Sequence, residues 1–213
     1  MPDMQDSIVF YGNASSGHVY KVALMLAVGG IQHRYQAIDI DQPRHLRPEP
    51  FRSLSRFGEV PLLVHDGQPY VQSDAILYHL AEHTGRFGAE SVSRMARVRE
   101  WLFWEANRLG MCLPQLRYAR SFAAPGEFPP GAVAWLQQRF DLDIARLETE
   151  LSDGRSFILD EQPTIADFSL CGYLFWADDA KVTLPPHVAA WLKRISKLPG
   201  WQSPEALLTS PAA

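Results

Sequence analysis

Hydrophobic and polar positions follow two different patterns along the chain, and the change falls near residue 85. Before it, short apolar runs rich in β-branched and aromatic residues mix with helical stretches. After it, apolar positions recur at helical spacing almost throughout. The pattern therefore predicts a small α/β unit followed by an all-helical one.

The first half is predicted to be a strand, a helix, a second strand, a hairpin around the turn Asp66-Gly67 and a closing helix. Turn residues between two β-rich runs are the usual signal of a hairpin. The predicted strands cover residues 8–11, 35–40, 61–65 and 69–71, and the predicted helices cover residues 19–28 and 73–83.

The second half is predicted to have no strand and two long helices, one carrying Trp101, Trp104, Leu109 and Leu116 and the other running from Val133 to Leu151. Residues 84–93 contain two glycines and no periodicity, which indicates a linker. We predict a first domain over residues 1–83, a linker over 84–93 and a helical domain over 94–213.

The composition is 46% hydrophobic, 11% aromatic and 21% charged, which excludes wholesale disorder. A formal charge of -4 creates no field that attracts nucleic acid or acidic lipid. The longest apolar run is too short for a membrane span, and the acidic N-terminus lacks the basic region of a signal peptide. We expect a cytoplasmic protein without nucleic-acid or membrane partners.

The two cysteines, Cys112 and Cys171, lie far apart and form no C-x-x-C pair. This usage suits a reducing compartment, where neither thiol is needed for a disulfide. Both are expected to be buried in the core.

Small and polar residues from Tyr11 to His18 lie between the first predicted strand and the first helix. Hydroxyls and backbone N–H groups therefore collect at a helix N-terminus, which is a favourable place for an anion. Ser15 and Ser16 are also ordinary helix caps, and this plainer interpretation stands beside the functional one.

Two further segments have the same double interpretation. Val60-Pro61 begins a strand, and because proline cannot donate to a ladder, the neighbouring main chain is left unpaired at an edge. An exposed edge of this kind can pair with a peptide. The turn that precedes it favours a cis bond at Pro61. Gln72-Ser73-Asp74 opens a helix, where a serine N-cap and unpaired N–H groups would hold a carboxylate. The plainer alternatives are that Pro61 only protects an edge strand and that Ser73 is only a helix cap.

A capping box is predicted at Thr164-Ile165-Ala166-Asp167, ahead of an apolar helix. We assign Thr164 and Asp167 to stability and not to catalysis.

Other chemical signals are weak. His79 and His83 fit the H-x-x-E-H pattern of a zinc site, but no third ligand has suitable spacing, so a solvated helix end is the better interpretation and no metal is expected. The chain contains no G-x-S-x-G, phosphate loop or G-x-G-x-x-G motif, so hydrolase, nucleotide-hydrolysing and dinucleotide-binding functions have no support.

The order of these features resembles the cytosolic glutathione transferase superfamily over almost the whole chain, and within it the bacterial serine-type (theta/nu-like) classes. The most specific stretch runs from Gly58-Glu59-Val60-Pro61-Leu62-Leu63 to Gln72-Ser73-Asp74-Ala75-Ile76-Leu77-Tyr78-His79-Leu80-Ala81. The resemblance implies a thioredoxin-like domain that holds glutathione and a helical domain that forms an apolar pocket for an electrophile.

Site residues follow from the same resemblance. Ser16, with Ser15 as the fallback, is the serine whose hydroxyl donates to the glutathione sulfur. His45, Val60, Pro61, Gln72 and Ser73 bind glutathione, with Val60 pairing to its cysteinyl part and Gln72 and Ser73 taking its γ-glutamyl end, where Asp74 assists with the ammonium. The electrophile pocket is assigned to Trp104, Met111, Leu113, Arg117 and Tyr118, although such residues at helical spacing are more often core.

The expected function is conjugation of the glutathione thiolate to small hydrophobic electrophiles in detoxification, with glutathione as co-substrate and no cofactor. Glutathione-dependent peroxidase, isomerase or dehalogenase activity is an alternative within the enzyme class. The alternative from another class is a non-catalytic binding or interaction protein with the same fold. Relatives imply a homodimer.

Three departures from the family pattern bear on affinity. Ser55-Arg56 replaces a common Asn-Pro, His18 replaces a frequent Asn and would titrate near neutral pH, and Glu59 stands where an amide or a cation is common. A carboxylate at Glu59 would repel the glycyl carboxylate of glutathione, with His45, Arg44 or Arg56 as candidates for compensation.

Overall fold

The computed structural model describes residues 7–209, which divide into two compact units. The first unit ends at His83 and the second begins at Thr84, while the segment from Pro199 groups with the first unit. Among the described residues, no helix is long and apolar enough to cross a membrane.

The first unit contains a four-stranded mixed sheet with the strand order β2-β1-β3-β4. Strand β1 pairs in parallel with β2 and antiparallel with β3, which in turn pairs antiparallel with β4. The strands are β1 (Ile8–Gly12), β2 (Arg34–Ala37), β3 (Leu62–His65) and β4 (Gln68–Val71), and the helices of this unit are α1 (Gly17–Gly29), α2 (Phe51–Leu54) and α3 (Ser73–Thr84). The α/β first half is therefore confirmed.

The second unit is helical among its described residues, as predicted. Helix α7 is buried along its whole length. Its helices are α4 (Val92–Asn107), α5 (Leu109–Ser121), α6 (Ala132–Glu150), α7 (Ile165–Cys171) and α8 (Pro186–Ile195), and a further helix, α9 (Pro204–Thr209), belongs to the C-terminal segment.

The C-terminal segment differs from the expectation that it belongs to the helical domain. The Tyr20 hydroxyl donates to the main-chain carbonyl of Gln202 over 2.8 Å. At Gly200 a Cβ would stand 2.6 Å from the carbonyl oxygen of Ala27, so only glycine allows the chain to lie this close to α1. These contacts hold α9 against α1.

Two element boundaries also differ from the sequence prediction. The single long helix predicted across Leu109 is divided at Arg108, whose backbone torsions (φ -125, ψ -97) leave the helical region. Strand β2 ends at Ala37 and not at residue 40 because its partner β1 ends at Gly12, so the ladder has no further residue to pair with. Two short segments that sequence reasoning missed, the 3-10 turn Arg44–Leu46 and α2, lie between β2 and β3.

Thr164 and Asp167 form the predicted capping box at the start of α7. The fully buried Asp167 carboxylate accepts the N–H of Thr164 at 2.8 Å, the N–H of Ile158 at 2.9 Å and the indole N–H of Trp191 at 2.9 Å. Burial raises the pKa of Asp167, because the charged form loses its hydration. One carboxylate thus connects the start of α7, the preceding loop and α8.

Three histidines of the first unit are in contact. His65 Nδ1 lies 2.8 Å from His79 Nε2, and the ring of His83 meets that of His65 at a centroid distance of 4.5 Å. The Tyr70 ring stacks on His79 at 3.7 Å. The solvated helix end expected here is therefore wrong for His79, which packs between β3, β4 and its own helix.

We expect Asp167→Ala to lower the free energy of unfolding by about 3–5 kcal/mol, because it leaves buried N–H donors without an acceptor. Asp167→Asn, which keeps an acceptor oxygen of similar shape, should cost less. Urea denaturation followed by tryptophan fluorescence measures both. An alanine variant as stable as the wild type would contradict the assignment of this residue to stability.

The pH dependence of stability tests the buried environment of His79. Burial, with smaller contributions from His65 and His83, lowers the pKa of His79 below its usual 6.5, so below that pH the unfolded chain takes up the proton first and stability falls. One such group contributes a slope of at most about 1.4 kcal/mol per pH unit.

His79→Phe keeps the stacking on Tyr70 but cannot titrate, so its free energy of unfolding should fall less steeply below pH 6.5 than that of the wild type. A shallower slope remains in this variant because burial also lowers the pKa of His18. Urea denaturation curves between neutral and mildly acidic pH measure the slopes, with the exposed His187→Gln as control. Equal slopes for His79→Phe and the wild type would refute the role of His79.

Candidate functional site

Ser16 is the N-cap of α1, in the position that the sequence predicts. Its Oγ accepts the N–H of Val19 at 3.3 Å, and the side chain is buried but not sealed, with 7% of the residue exposed. Gly12 permits this arrangement, because a Cβ there would stand 2.4 Å from the Val19 side chain. The close approach of β1 and α1 thus fixes the Ser16 hydroxyl at the positive end of the helix.

Ser15 is held differently. Its hydroxyl donates to Asn13 Oδ1 over 2.7 Å, and Asn13 is anchored in turn by its own amide donating to the Ile38 carbonyl at 2.9 Å. The Ser16 hydroxyl, in contrast, acts as an acceptor within residues 7–209 and has no acceptor there for its own proton. This difference favours Ser16 over Ser15 as a donor to a ligand.

His18, next to Gly17 in the first turn of α1, does not titrate near neutral pH as expected. Burial, with a smaller contribution from the Lys21 charge, lowers the pKa of His18 to about 3. The imidazole is therefore neutral at pH 7 and adds no charge to this end of the helix.

The Val60–Pro61 peptide bond is cis, as predicted. The β1–β3 ladder ends at Leu62, and within residues 7–209 the Val60 main chain has no hydrogen-bond partner. The Val60 side chain packs against an apolar cluster of the first unit that includes Phe51 and Leu62. Packing therefore fixes the side chain and leaves the main chain open for an extended peptide.

Ser55 holds the turn that precedes this open edge. Its hydroxyl donates to the Glu59 carbonyl at 2.9 Å and accepts the Glu59 N–H at 3.1 Å. Arg47, which sequence reasoning missed, is buried and donates to the carbonyls of Ile40 and Gly58. No sequence signal marks Arg47, because its role is to satisfy main-chain carbonyls of two loops.

Gln72, and not Ser73 as predicted, occupies the capping position of α3. The Gln72 carbonyl accepts the N–H of Ile76, its φ of 71° lies in the left-handed region, and Ser73 is the first helical residue and is buried. Gln72 Nε2 lies 3.5 Å from the carboxylate of Glu59, at the limit of a hydrogen bond. The structure thus brings Gln72 beside the turn that precedes Val60.

Three cations were candidates for compensating the negative charge of Glu59. Of these, Arg44 forms an ion pair with Glu59 at 3.1 Å. Arg56 instead lies over the ring of Phe57, and His45 is exposed, with its main-chain carbonyl accepting a bond from Arg52. Both members of the Arg44–Glu59 pair are more than half exposed, so the pair contributes little to stability but defines the local charge.

The residues assigned to the electrophile pocket belong to the second unit and differ in their surroundings. Arg117 is buried between the rings of Phe122 and Trp176, and its guanidinium forms an ion pair with Asp179 at 3.1 Å. The exposed Tyr118 donates its hydroxyl proton to Glu127 at 2.6 Å. These contacts give Arg117 a structural role.

Three other residues were assigned to this pocket. Trp104 and Met111 are half-buried, and Trp104 meets Trp101 edge-to-face at 5.5 Å. Leu113 is core, with 1% of its surface exposed. Trp104 and Met111 thus keep some surface for a ligand, whereas Leu113 has almost none.

Cysteines and metal ligands add no reactive centre to the described residues. Cys112 and Cys171 are both buried, as expected, neither of the two forms a disulfide, and burial raises the pKa of the Cys112 thiol to about 12. Among residues 7–209, no group of three or more His, Cys, Asp or Glu side chains could hold a metal ion. The nitrogens of His65 and His79 that meet are already hydrogen-bonded to each other.

Comparison with known families agrees with this geometry. Residues 10–87 match the glutathione S-transferase N-terminal domain, and residues 109–194 match the glutathione S-transferase C-terminal domain. The chain therefore belongs to the glutathione S-transferase superfamily, which indicates a glutathione-related enzyme.

Individual relatives are similar over 78–92% of the chain. A glutathione S-transferase from Xanthobacter autotrophicus Py2 is 30% identical, with 92% of this chain and 95% of that chain covered and a TM-score of 0.80. The Escherichia coli disulfide-bond oxidoreductase YfcG is 27% identical over 203 residues, 90% of each chain. A maleylacetoacetate isomerase from Rhizobium meliloti is 28% identical over 172 residues, covering 78% of this chain and 80% of the relative.

Glu59→Gln should increase the affinity for glutathione about threefold to tenfold at low salt, because it removes a negative charge beside the site and releases Arg44. Added salt should diminish the gain, since both side chains are exposed to screening ions. Isothermal titration calorimetry at two salt concentrations measures both effects. Glu100→Gln, which breaks an exposed Arg–Glu pair on α4, is the matched control. Unchanged affinity in Glu59→Gln would show that Glu59 does not act on the ligand.

Proposed function

We propose that the protein binds glutathione in its first unit and conjugates the glutathione thiolate to small hydrophobic electrophiles, so that the whole tripeptide becomes bonded to the electrophile through its sulfur. The observation that carries the proposal is the Ser16 hydroxyl, which is fixed at the N-terminus of α1 and keeps its proton available for a ligand. A donor at the positive end of a helix stabilises a thiolate. Glutathione is the co-substrate, and the proposal needs no metal or redox cofactor.

The tripeptide is proposed to lie along the open edge at Val60, with its cysteinyl part paired to the Val60 main chain and packed beside Pro61. Its γ-glutamyl end meets Gln72 and Ser73, where the N-terminus of α3 attracts a carboxylate. His45 stays a proposed contact for the opposite end. Support comes from the absence of a hydrogen-bond partner for the Val60 main chain within the described chain.

The size of the Ser16 effect can be bounded. Lowering a thiol pKa from about 8.5 by about 2 units takes about 2.7 kcal/mol, which a charge-assisted hydrogen bond and a helix N-terminus can supply. The thiolate fraction at pH 7 then rises from about 3% to about 75%. A less basic thiolate is a weaker nucleophile. With a Brønsted slope of about 0.45, the gain in thiolate fraction becomes a rate increase of only about threefold.

Most of the acceleration is therefore proposed to come from holding the electrophile beside the sulfur, where effective molarity exceeds the gain from ionisation. In the reaction the thiolate forms a bond to an electrophilic carbon, and the leaving group departs with its electron pair. Trp104, Met111 and Tyr118 are the proposed electrophile-binding residues of the second unit. Arg117 is omitted, because its charge already serves Asp179.

Two relatives support alternatives within the enzyme class. One is named a disulfide-bond oxidoreductase and another a maleylacetoacetate isomerase. Both of the chain's own cysteines are buried, so disulfide chemistry here would use the sulfur of glutathione. Peroxidase and dehalogenase activities remain in the same proposal, since the same thiolate attacks oxygen or a halogenated carbon.

A non-catalytic binding protein is the candidate from another class, and the Glu59 carboxylate beside Gln72 is the observation that favours it. The theta/nu-like subtype, a homodimeric state, a cytoplasmic location and a role in detoxification accompany the leading proposal as expectations from the resemblance.

Ser16→Ala separates capture from catalysis. We expect this variant to bind glutathione about as well as the wild type, but with the thiol pKa raised by about 1–2 units and turnover reduced at pH 7. The Gln72→Ala, Ser73→Ala double variant should lose binding instead. Retention on glutathione resin, thiolate absorbance and conjugation of an aromatic halide measure these effects.

Ser15→Ala, which removes the neighbouring hydroxyl, is the matched control. Failure of the wild type to bind glutathione at millimolar concentration would overturn the enzyme proposal. Full binding with no turnover on any electrophile, hydroperoxide or disulfide would favour the non-catalytic alternative.

A further inference from the structure

Helices α4 and α5 follow each other with no connecting loop. Arg108 alone separates them, and its carbonyl accepts the N–H groups of both Met111 and Cys112 at 3.1 Å. Its N–H donates to the carbonyl of Glu105 at 3.0 Å. The first N–H groups of a helix need an acceptor from outside the helix, and the Arg108 side chain does not cap α5.

The Glu105 carboxylate lies against this first turn of α5. Only 3% of Glu105 is exposed, and a Cβ on Gly110 would stand 2.6 Å from its Oε1 and 2.9 Å from its Oε2. Burying a carboxylate is costly unless donors or positive charge compensate it, and the N-terminus of a helix supplies both. A side chain from the last turn of α4 thus brings a negative charge to the positive end of α5.

Gly110 provides the space that this carboxylate occupies. Gly110 belongs to a helix, and its φ lies outside the left-handed region that favours glycine, so alanine would suit its backbone better. An alanine Cβ would collide with the carboxylate, at 2.6 Å from Oε1. The glycine is therefore explained by the close approach of Glu105 and not by its backbone torsions.

The hydrogen-bond ladder of α5 is incomplete near its first turn. Pro114 lies inside α5 and has no N–H to donate to the Gly110 carbonyl four residues earlier. Because this bond of the ladder is missing, the orientation of the first turn depends more on its contact with Glu105.

The contact between Glu105 and Gly110 lies between two residues of the proposed electrophile site. Trp104 directly precedes Glu105, Met111 directly follows Gly110, and both are half-buried. Successive residues of a helix are rotated by about 100° around its axis. A small shift or rotation of the first turn of α5 against α4 therefore changes where Met111 points relative to Trp104.

We infer that Glu105 is a positioning residue, whose buried carboxylate fixes the first turn of α5 against α4 and thereby determines which electrophiles Trp104 and Met111 accept. The inference rests on the proposed function, which assigns those two residues to the electrophile. It adds that a residue without contact to the ligand sets the specificity, through the space that Gly110 leaves for its side chain.

The test compares S-methylglutathione with S-(p-nitrobenzyl)glutathione, which share the tripeptide and differ in the group on sulfur. We expect the wild type to bind the nitrobenzyl derivative more tightly. Gly110→Ala should change the ratio of the two dissociation constants at least about fivefold, because its Cβ displaces the Glu105 carboxylate. The dissociation constant of S-methylglutathione should stay nearly unchanged. Calorimetric titration measures both constants and needs no turnover.

A double-mutant cycle shows whether Gly110 acts through Glu105. Glu105→Ala should change the same ratio, and Gly110→Ala should have no further effect in that background, because the carboxylate that its Cβ would meet is gone. If Glu105→Ala does not fold, the Glu105→Asp, Gly110→Ala double variant takes its place. This variant retains the charge on a shorter side chain, so it should recover part of the wild-type ratio.

Two controls separate positioning from stability. Glu100→Ala removes an exposed carboxylate from the same helix and should leave the ratio unchanged. Asp167→Asn weakens the same unit at α7, so it should lower the urea midpoint without changing the ratio. A purely structural Glu105 would behave like Asp167→Asn.

The outcomes distinguish the inference from the proposed function. If the wild type binds neither derivative, the proposed function is overturned, and the inference that rests on it is overturned with it. If the wild type binds both and Gly110→Ala keeps the wild-type ratio, the role of Glu105 is overturned while the proposed function stands. An equal effect of Gly110→Ala with and without the Glu105 carboxylate would also overturn that role.

Discussion

The end of the β1–β3 ladder at Leu62 is the constraint on which the candidate site depends. Proline at position 61 has no N–H, and the main chain of Val60 finds no partner among residues 7–209, so polar groups remain open beside a packed apolar cluster. Backbone groups in this state require either water or a ligand. The Ser55 turn and the buried Arg47 keep the edge in this condition by satisfying the carbonyls around it.

Much of the fold could be predicted from the sequence because its signals are local. The apolar spacing of α1, the Asp66-Gly67 turn and the Thr164–Asp167 box each depend on a few neighbouring residues. The division at Arg108 and the placement of residues 199–209 could not be predicted in this way, because both depend on tertiary contacts. Elements shorter than two turns, such as α2, have too few residues to produce a period.

In the candidate site, too, the features marked by local sequence could be predicted and those that depend on tertiary contacts could not. Ser16 and the cis bond at Pro61 were predicted, since motif order marks both. The preference for Ser16 over Ser15 rests on a hydrogen bond that the sequence does not reveal, because the Ser15 hydroxyl already donates its proton to Asn13. The prediction that His18 titrates near neutral pH was wrong for a related reason. Burial lowers the pKa of His18, and the exposure of one helical residue cannot be deduced from its neighbours in sequence.

The burial of Cys112 and Cys171 determines how readily the protein forms mixed disulfides with small thiols. Mixed disulfides with small thiols form when a thiolate is exposed and ionised, and Cys112, with a pKa raised to about 12, meets neither condition. Both sulfurs lie within the packed interior of the second unit. Burial therefore protects both thiols from modification by small disulfides.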